Sequence, residues 1–153
     1  MFFEYDESIP FFIKSDPNRL RQIITNLLGN ALKFTQNGSI SLKAVLDSSD
    51  NSLIHLFVID NGIGIKEENQ KLLFKAFSKV ENCENEYLNS QGVGLGLLIS
   101  NKLAISVGPT FSEYEKTQTT LNPGLNVFSE FGNGTTFRQR NIYNLFDNNF
   151  FFI

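Results

Sequence analysis

The 153-residue sequence has one cysteine, one histidine and no long apolar run. With Cys83 alone, no disulfide can close within the chain, which points to a reducing compartment. The thiol lies in a polar stretch and reads as unreactive. No segment approaches the roughly 20 apolar residues that a membrane helix needs. The opening MFFEYDESIPFF lacks a basic segment followed by a long apolar stretch, so it is not a secretory signal. A cytoplasmic location without direct membrane insertion is expected, compatible with a parent protein anchored elsewhere. Basic charge is also scarce: 13 Lys and Arg face 16 Asp and Glu, a net charge of -3. That balance argues against a nucleic-acid surface. It does not exclude a phosphate ligand, because glycine-loop amides and a metal ion neutralise phosphate locally. The dinucleotide pattern G-x-G-x-x-G and the phosphate loop G-x-x-x-x-G-K-S/T are both absent.

What is present fits one globular domain, with 41% apolar and 19% charged residues. Asp16-Pro17 is a helix start, an N-cap followed by proline at the first helical position. Leu20, Ile23, Ile24, Leu27, Leu28, Ala31 and Leu32 then recur with helical period, and Gly38 offers a left-handed close. Ile40, Leu42, Ala44 and Leu46 alternate as a strand, and Leu53 to Asp60 gives its hairpin partner. A glycine turn leads to a helix expected from Lys66 to Phe77. The second glycine cluster, Gly92-Val93-Gly94-Leu95-Gly96, opens another helix through about Ser106. Gly124 to Phe131, the turn Gly132-Asn133-Gly134 and Thr135 onward form a closing hairpin. The order predicts an α+β sandwich with helices over one sheet. Sixteen phenylalanines are an excess. Several end the chain in Phe150-Phe151-Phe152-Ile153, which implies either a covered patch or an end not shaped by folding.

Three groups of residues could carry chemistry. Asn26, Asn30 and Lys33 fall at i, i+4 and i+7, a stripe expected opposite the apolar face. It reads either as a solvated face or as ligands for a hydrated magnesium ion and its phosphates. Asp60 ends a strand and should share the buried side of Ile54, Leu56 and Val58. Its carboxylate needs partners there, from the turn amides at Gly62 and Gly64, from an exocyclic amine such as that of adenine, or from both. Gly92, Gly94 and Gly96 enter a helix N-terminus, which suits an anion but also suits a tight turn.

Taken in order, these segments resemble the boxes of histidine kinases. DPNRLRQIITNLLGNALKFT resembles the N box, VIDNGIGI the first glycine box, LFKAFSKV the phenylalanine box and GVGLGLLIS the second glycine box. SEFGNGTTF is similar to the segment that closes many such domains, so the resemblance runs from Asp16 to Phe137. It implies the Bergerat-type ATP fold, a two-layer sandwich whose mixed, mostly antiparallel sheet is covered on one face by helices. The division it implies is an N-terminal extension with a first strand over 1–15, the ATP-binding domain over 16–142 and an irregular aromatic tail over 143–153.

Carried onto this sequence, the resemblance implies that Asn30 coordinates magnesium with Asn26 close by, that Lys33 approaches the phosphates and that Phe34 lies near the nucleotide. Asp60 would accept from the adenine amine, with Gly62 and Gly64 passing close to the base. Gly92, Gly94, Leu95 and Gly96 would wrap the phosphates, and Thr135 would support water beside adenine. Phe74 and Phe77 would anchor a lid over about 80–92. The hydrolytic relatives (gyrase, the mismatch-repair clamp protein and the heat-shock chaperone) carry a glutamate where Asn26 stands. Asparagine cannot act as a general base, so the resemblance implies transfer of the ATP γ-phosphoryl group to a histidine rather than hydrolysis. ATP and magnesium are the implied cofactors.

A histidine-bearing dimerisation domain, in cis or in trans, and a downstream receiver domain are the implied partners. The alternative is a truncated or degenerate module that holds ATP without transfer. The sequence departs from the expected pattern in three respects, one being that the usual dimerising helices with the H-E motif, and any receiver domain, are missing from it. His55, the only histidine, sits inside a strand and reads as structural. The 107–123 loop is long, and RQRNIYNLFDNNFFFI after Phe137 carries no clean strand pattern.

Overall fold

The Asp16 carboxylate accepts from the backbone N–H groups of Asn18 and Arg19, each at 3.0 Å, and so starts the principal helix. The computed structural model describes residues 1–11, 13, 15–50, 53–75, 94–108 and 124–142. In it, helix α1 spans Pro17–Phe34 and buries Leu20, Ile23, Leu27 and Ala31 along one stripe. The helix stops short of Gly38. Thr35 closes it in an extended conformation, at φ -113° and ψ 97°. Gly38 is therefore not the cap; a Cβ there would overlap the Asn61 carboxamide oxygen, which accepts from the Ser39 amide at 2.7 Å. Leu32, counted in the apolar stripe, is 63% exposed.

Five strands form one sheet: β1 Phe2–Tyr5, β2 Ile40–Leu46, β3 Leu53–Asp60, β4 Asn126–Glu130 and β5 Gly134–Ile142, in the order β1-β2-β3-β5-β4. β1 runs parallel to β2 and the other pairs are antiparallel, the mixed sheet that was expected. Leu42, Val58, Phe137 and Val127 are register partners across β2, β3, β5 and β4. Period-two alternation puts them on one face together with the row Ile40, Asp60, Thr135 and Ser129.

The other helices among the described residues are α2, a single turn over Glu67–Gln70, and α3, Gly96–Val107. The core joins Ile23, Leu27 and Ala31 of α1 and Ala104 of α3 to Leu125 and to the sheet residues Ile40, Val58 and Phe137. Each of the leucine, isoleucine, valine and phenylalanine side chains contributes about 1.5–3 kcal/mol by leaving water. Helices thus cover one face of the sheet, and no helix among the described residues is long and apolar enough to cross a membrane.

Two elements differ from the expectation. β5 does not fade after Phe137: Arg138 to Ile142 pair with β3 as far as Leu53. The strand pattern was hidden because its inward position after Phe137 is a glutamine. Gln139 is 1% exposed, and its Nε2 donates to the carbonyls of Ala104 and Arg140 at 3.2 and 3.0 Å. Of the helix expected over 66–77, only α2 is regular among the described residues. Beyond it the Leu72, Leu73 and Lys75 amides donate to carbonyls three residues back, which gives tighter turns. Phe77, Cys83, Gly92, the 80–92 segment, most of the 107–123 loop and the 143–153 tail lie outside the described residues.

Candidate functional site

Two polar contacts fix how α1 and α3 lie together. Arg19 donates to the Ser106 hydroxyl at 3.0 Å, and Asn26 Nδ2 donates to the Ser100 hydroxyl at 2.9 Å. Rising numbers on one helix meet falling numbers on the other, so the pair is antiparallel. The start of α3 therefore lies level with Asn26, and the Asn30–Lys33–Phe34 edge of α1 runs on past it. Gly96 sits against the Asn26 carboxamide so closely that a Cβ would overlap its oxygen. Asn26, Asn30 and Lys33 are each half-buried. Their stripe flanks the apolar face rather than lying opposite it, because the core stripe is narrower than the hydrophobic pattern implied. The Lys33 ammonium lies 5.0 Å from the centre of the Phe34 ring.

α3 begins differently from α1. Leu95 supplies no side-chain cap, the first turn holds no carboxylate, and Gly94 before it has φ +74°. Such an N-terminus presents backbone amides and the positive end of the helix dipole to an anion.

The strand-end carboxylate is placed from the other side. Asp60 is 7% exposed and accepts from the Gly62 amide at 2.9 Å. Burial pushes its carboxyl up from the ordinary value, while the Gly62 and Thr135 amides pull it back. Gly62 also touches the end of α1: a Cβ there would overlap the Phe34 carbonyl oxygen, and the Ile63 amide donates to that same oxygen at 3.2 Å. Gly64 adopts φ +67° with its Cα against the Glu130 carbonyl. These contacts with the protein's own backbone account for both glycines and tie the Asp60 turn to the end of α1.

Thr135, the register partner of Asp60, is 7% exposed, and its hydroxyl lies 3.0 Å from Ser129 Oγ. Ser129 accepts from the Ile65 amide at 2.8 Å and gives its one proton to the Gly134 carbonyl at 2.9 Å. The Thr135 hydroxyl must therefore donate to Ser129.

The structure thus brings Asn26 and Gly96 together. It joins Phe34 to Gly62 and Asp60 to Thr135, and it packs Phe74 against the core. Sequence reasoning did not single out Ser100 or Ser129. Ser100 was signalled only by its place four residues after Gly96, on the same helix face.

An open groove of about 510 Å³ lies at the strand ends, where Ser41, Ile59, Phe128 and Thr136 form a row on the sheet face turned away from the helices. Its lining includes Asp60 and Glu130 but no lysine or arginine, which suits a triphosphate poorly.

His55 also belongs to that outer face. Its Nε2 lies 2.6 Å from the Asp47 carboxylate, and its Nδ1 is buried without a hydrogen-bond partner among the described residues. Burial lowers the ring's pKa from the ordinary value; Asp47 opposes this, while Arg138 and Arg140 add to it. Burial pushes the Asp47 carboxyl up, but hydrogen bonds from Ser49 and His55 outweigh it and hold it well below the usual range. The two directions agree only if a neutral ring donates from Nε2, since protonation would bury a second N–H with no acceptor.

Stability linked to His55 is then complete above about pH 6.5, its unfolded value, and falls as acid protonates the unfolded chain first. Asp47 contributes a further loss below its unfolded value of about 4. Thermal melts should show the wild-type midpoint falling between pH 7 and pH 5. The fall should be smaller in His55→Gln, which keeps the Nε2 donor without titrating. Equal slopes for the two proteins would show that His55 does not titrate in this window.

The profile of the histidine kinase-, DNA gyrase B- and HSP90-like ATPases matches residues 15–141. Hybrid signal transduction histidine kinase B of Dictyostelium discoideum is 37% identical over 134 residues, 86% of this chain and 6% of that protein. The sensor protein GacS of Pseudomonas syringae pv. syringae is 40% identical over 101 residues, 65% of this chain and 11% of its own length. The chain thus spans only a small part of these curated relatives. The crystal structure of full-length ShkA in complex with AMPPNP matches 92% of this chain and 25% of that one, at 28% identity and a TM-score of 0.64. The nucleotide-free catalytic domain of histidine kinase ThkA matches 93% of this chain and 78% of that one, at 22% identity and a TM-score of 0.63, and shares the fold.

Proposed function

The chain belongs to the histidine kinase-, DNA gyrase B- and HSP90-like ATPase family, and on that premise we propose that it is the ATP-binding catalytic domain of a sensor or hybrid histidine kinase. It would pass the γ-phosphoryl group to a histidine on a separate dimerisation domain, with a receiver domain further along the phosphorelay. One observation carries this reading. The antiparallel α1–α3 pair sets the Asn26 carboxamide beside an uncapped helix start, while Gly62 joins Asp60 to the end of the same α1.

The Asp60 carboxylate has acceptor capacity beyond the Gly62 amide and would take the exocyclic amine of adenine. Guanine offers a carbonyl oxygen at that position and would be repelled. Phosphates would meet the amides from Gly94 to Gly96 and the Lys33 ammonium. The donors also fit magnesium. With Nδ2 of Asn26 spent on Ser100, its oxygen remains for a hard cation, and Asn30 follows one turn on. No group of three or more His, Cys, Asp or Glu among the described residues could hold a metal, so the ion would come bound to the phosphates.

Asn26 stands where a hydrolytic relative would need a base, and an amide cannot accept water's proton. The protein's share of the chemistry is then positioning and charge neutralisation.

Radiolabelled ATP, with a histidine-bearing dimerisation domain added in trans, tests the reading. Label should appear on that domain and in an acid-labile form. Binding of ATP without any transfer to competent acceptor domains would reduce the chain to a nucleotide-holding module. Asn30→Ala should cut the transfer rate by roughly 100-fold or more, in the range lost with a group that stabilises transition-state charge, and change metal-free nucleotide affinity less than threefold. Normal transfer and normal magnesium dependence in that variant would remove Asn30 from the metal site.

A further inference from the structure

Ser100 is 1% exposed and stands one turn after Gly96 on the side of α3 that meets α1. The expected nucleotide contacts assign it no role, yet its hydroxyl accepts from the Asn26 amide nitrogen at 2.9 Å. A carboxamide has two chemically opposite ends, an oxygen that accepts and an NH2 that donates. A half-turn about the last side-chain bond exchanges them at little cost in shape. Toward a magnesium-bearing phosphate the exchange matters, since the oxygen attracts a hard cation and the NH2 repels it.

Two contacts set the place of the carboxamide in this protein, although a hydroxyl can itself pair with either end. The Ser100 hydroxyl holds the nitrogen end, and the bare Cα of Gly96 leaves room for the oxygen end at the start of α3. We propose that Ser100 is a positioning residue that holds the Asn26 carboxamide against the start of α3, where its oxygen is left for the metal-phosphate side of the nucleotide site. The proposal rests on the nucleotide reading above. It explains why a hydroxyl occupies a nearly solvent-free position on a helix that is otherwise apolar there, with Ala104 next on the same face.

The test is the affinity of the full chain for AMPPNP, measured by calorimetry with magnesium and again with EDTA. Four proteins are compared: wild type, Ser100→Ala, Asn26→Ala and the double variant. Ser100→Ala should weaken magnesium-AMPPNP binding on the order of 3- to 10-fold, the scale of one hydrogen bond. Its affinity in EDTA should stay within twofold of wild type. In the Asn26→Ala background, Ser100→Ala should add nothing further, because a positioning residue has no effect once its target is gone.

Ser100→Cys nearly conserves volume but accepts hydrogen bonds weakly, so it should show the same magnesium-specific loss. An equal loss with and without metal would overturn the assignment, as would no loss at all or a full effect surviving in the Asn26→Ala background. Failure of both the alanine and cysteine variants to fold would also overturn it, since Ser100 would then be a packing residue. A wild-type chain that binds no nucleotide would instead refute the functional reading itself.

Discussion

Asp60→Asn will lower ATP affinity by roughly 10- to 150-fold, which corresponds to about 1.5–3 kcal/mol for a hydrogen bond to a charged group. The substitution changes few atoms, and that makes it informative. The Gly62 amide, 2.9 Å from the carboxylate, will claim the new carbonyl oxygen. The NH2 group then faces the adenine amine, donor against donor. Folding should not suffer. Burial raises the Asp60 pKa above its ordinary value, so the charged form is disfavoured in the folded chain. Neutralising it should leave the melting temperature unchanged or higher. Calorimetry with ATP and GTP, beside a thermal melt, separates these effects. An ATP affinity within twofold of wild type would remove Asp60 from the site.

Gly64→Ala is expected to act on the fold instead. At φ +67° a side chain is strained, and the added Cβ would overlap the Glu130 carbonyl oxygen, which is backbone and cannot swing aside. Together these should cost about 2–4 kcal/mol. For a chain of this size that lowers the melting temperature by roughly 5–15 °C.

Gly132→Ala is the internal comparison. Its φ is +90°, but a Cβ there meets nothing within 4 Å, so only the conformational cost of about 1–2 kcal/mol remains. The difference between the two variants isolates the close approach that holds the Asp60 turn against β4. Equal losses would mean that this approach contributes no constraint.

Much of the architecture was legible because local and global preferences agree. The Asp16-Pro17 start, the alternation of β2 and the Gly132–Gly134 turn each carry their own chemistry, and each forms as read. The end of α1 was misplaced because Gly38 serves a contact with Asn61, a residue distant in sequence, and not a cap. The last strand was missed where Gln139 takes a core position, satisfied by the Ala104 carbonyl of a helix 35 residues away. Period-two patterning sees side-chain type and cannot see such a partner.

The site shows the same division. The carboxamide stripe and the strand-end carboxylate could be found from spacing. The inclination of the stripe toward α3 could not, because it depends on how two helices pack. The Asn26–Ser100 bond spans 74 residues and has no local signature beyond the i, i+4 relation of Ser100 to Gly96.

The polar edge of α1, the start of α3 and the Asp60 turn are held to line one nucleotide site on the helix side of the sheet. A crystal structure of the chain with AMPPNP and magnesium tests this most directly. The adenine amine should lie within hydrogen-bonding distance of Asp60, with the phosphates between the Asn26–Asn30 edge and the amides of Gly94 to Gly96. A nucleotide seated instead in the groove over Ser41, Ile59 and Phe128, on the opposite face of the sheet, would contradict it.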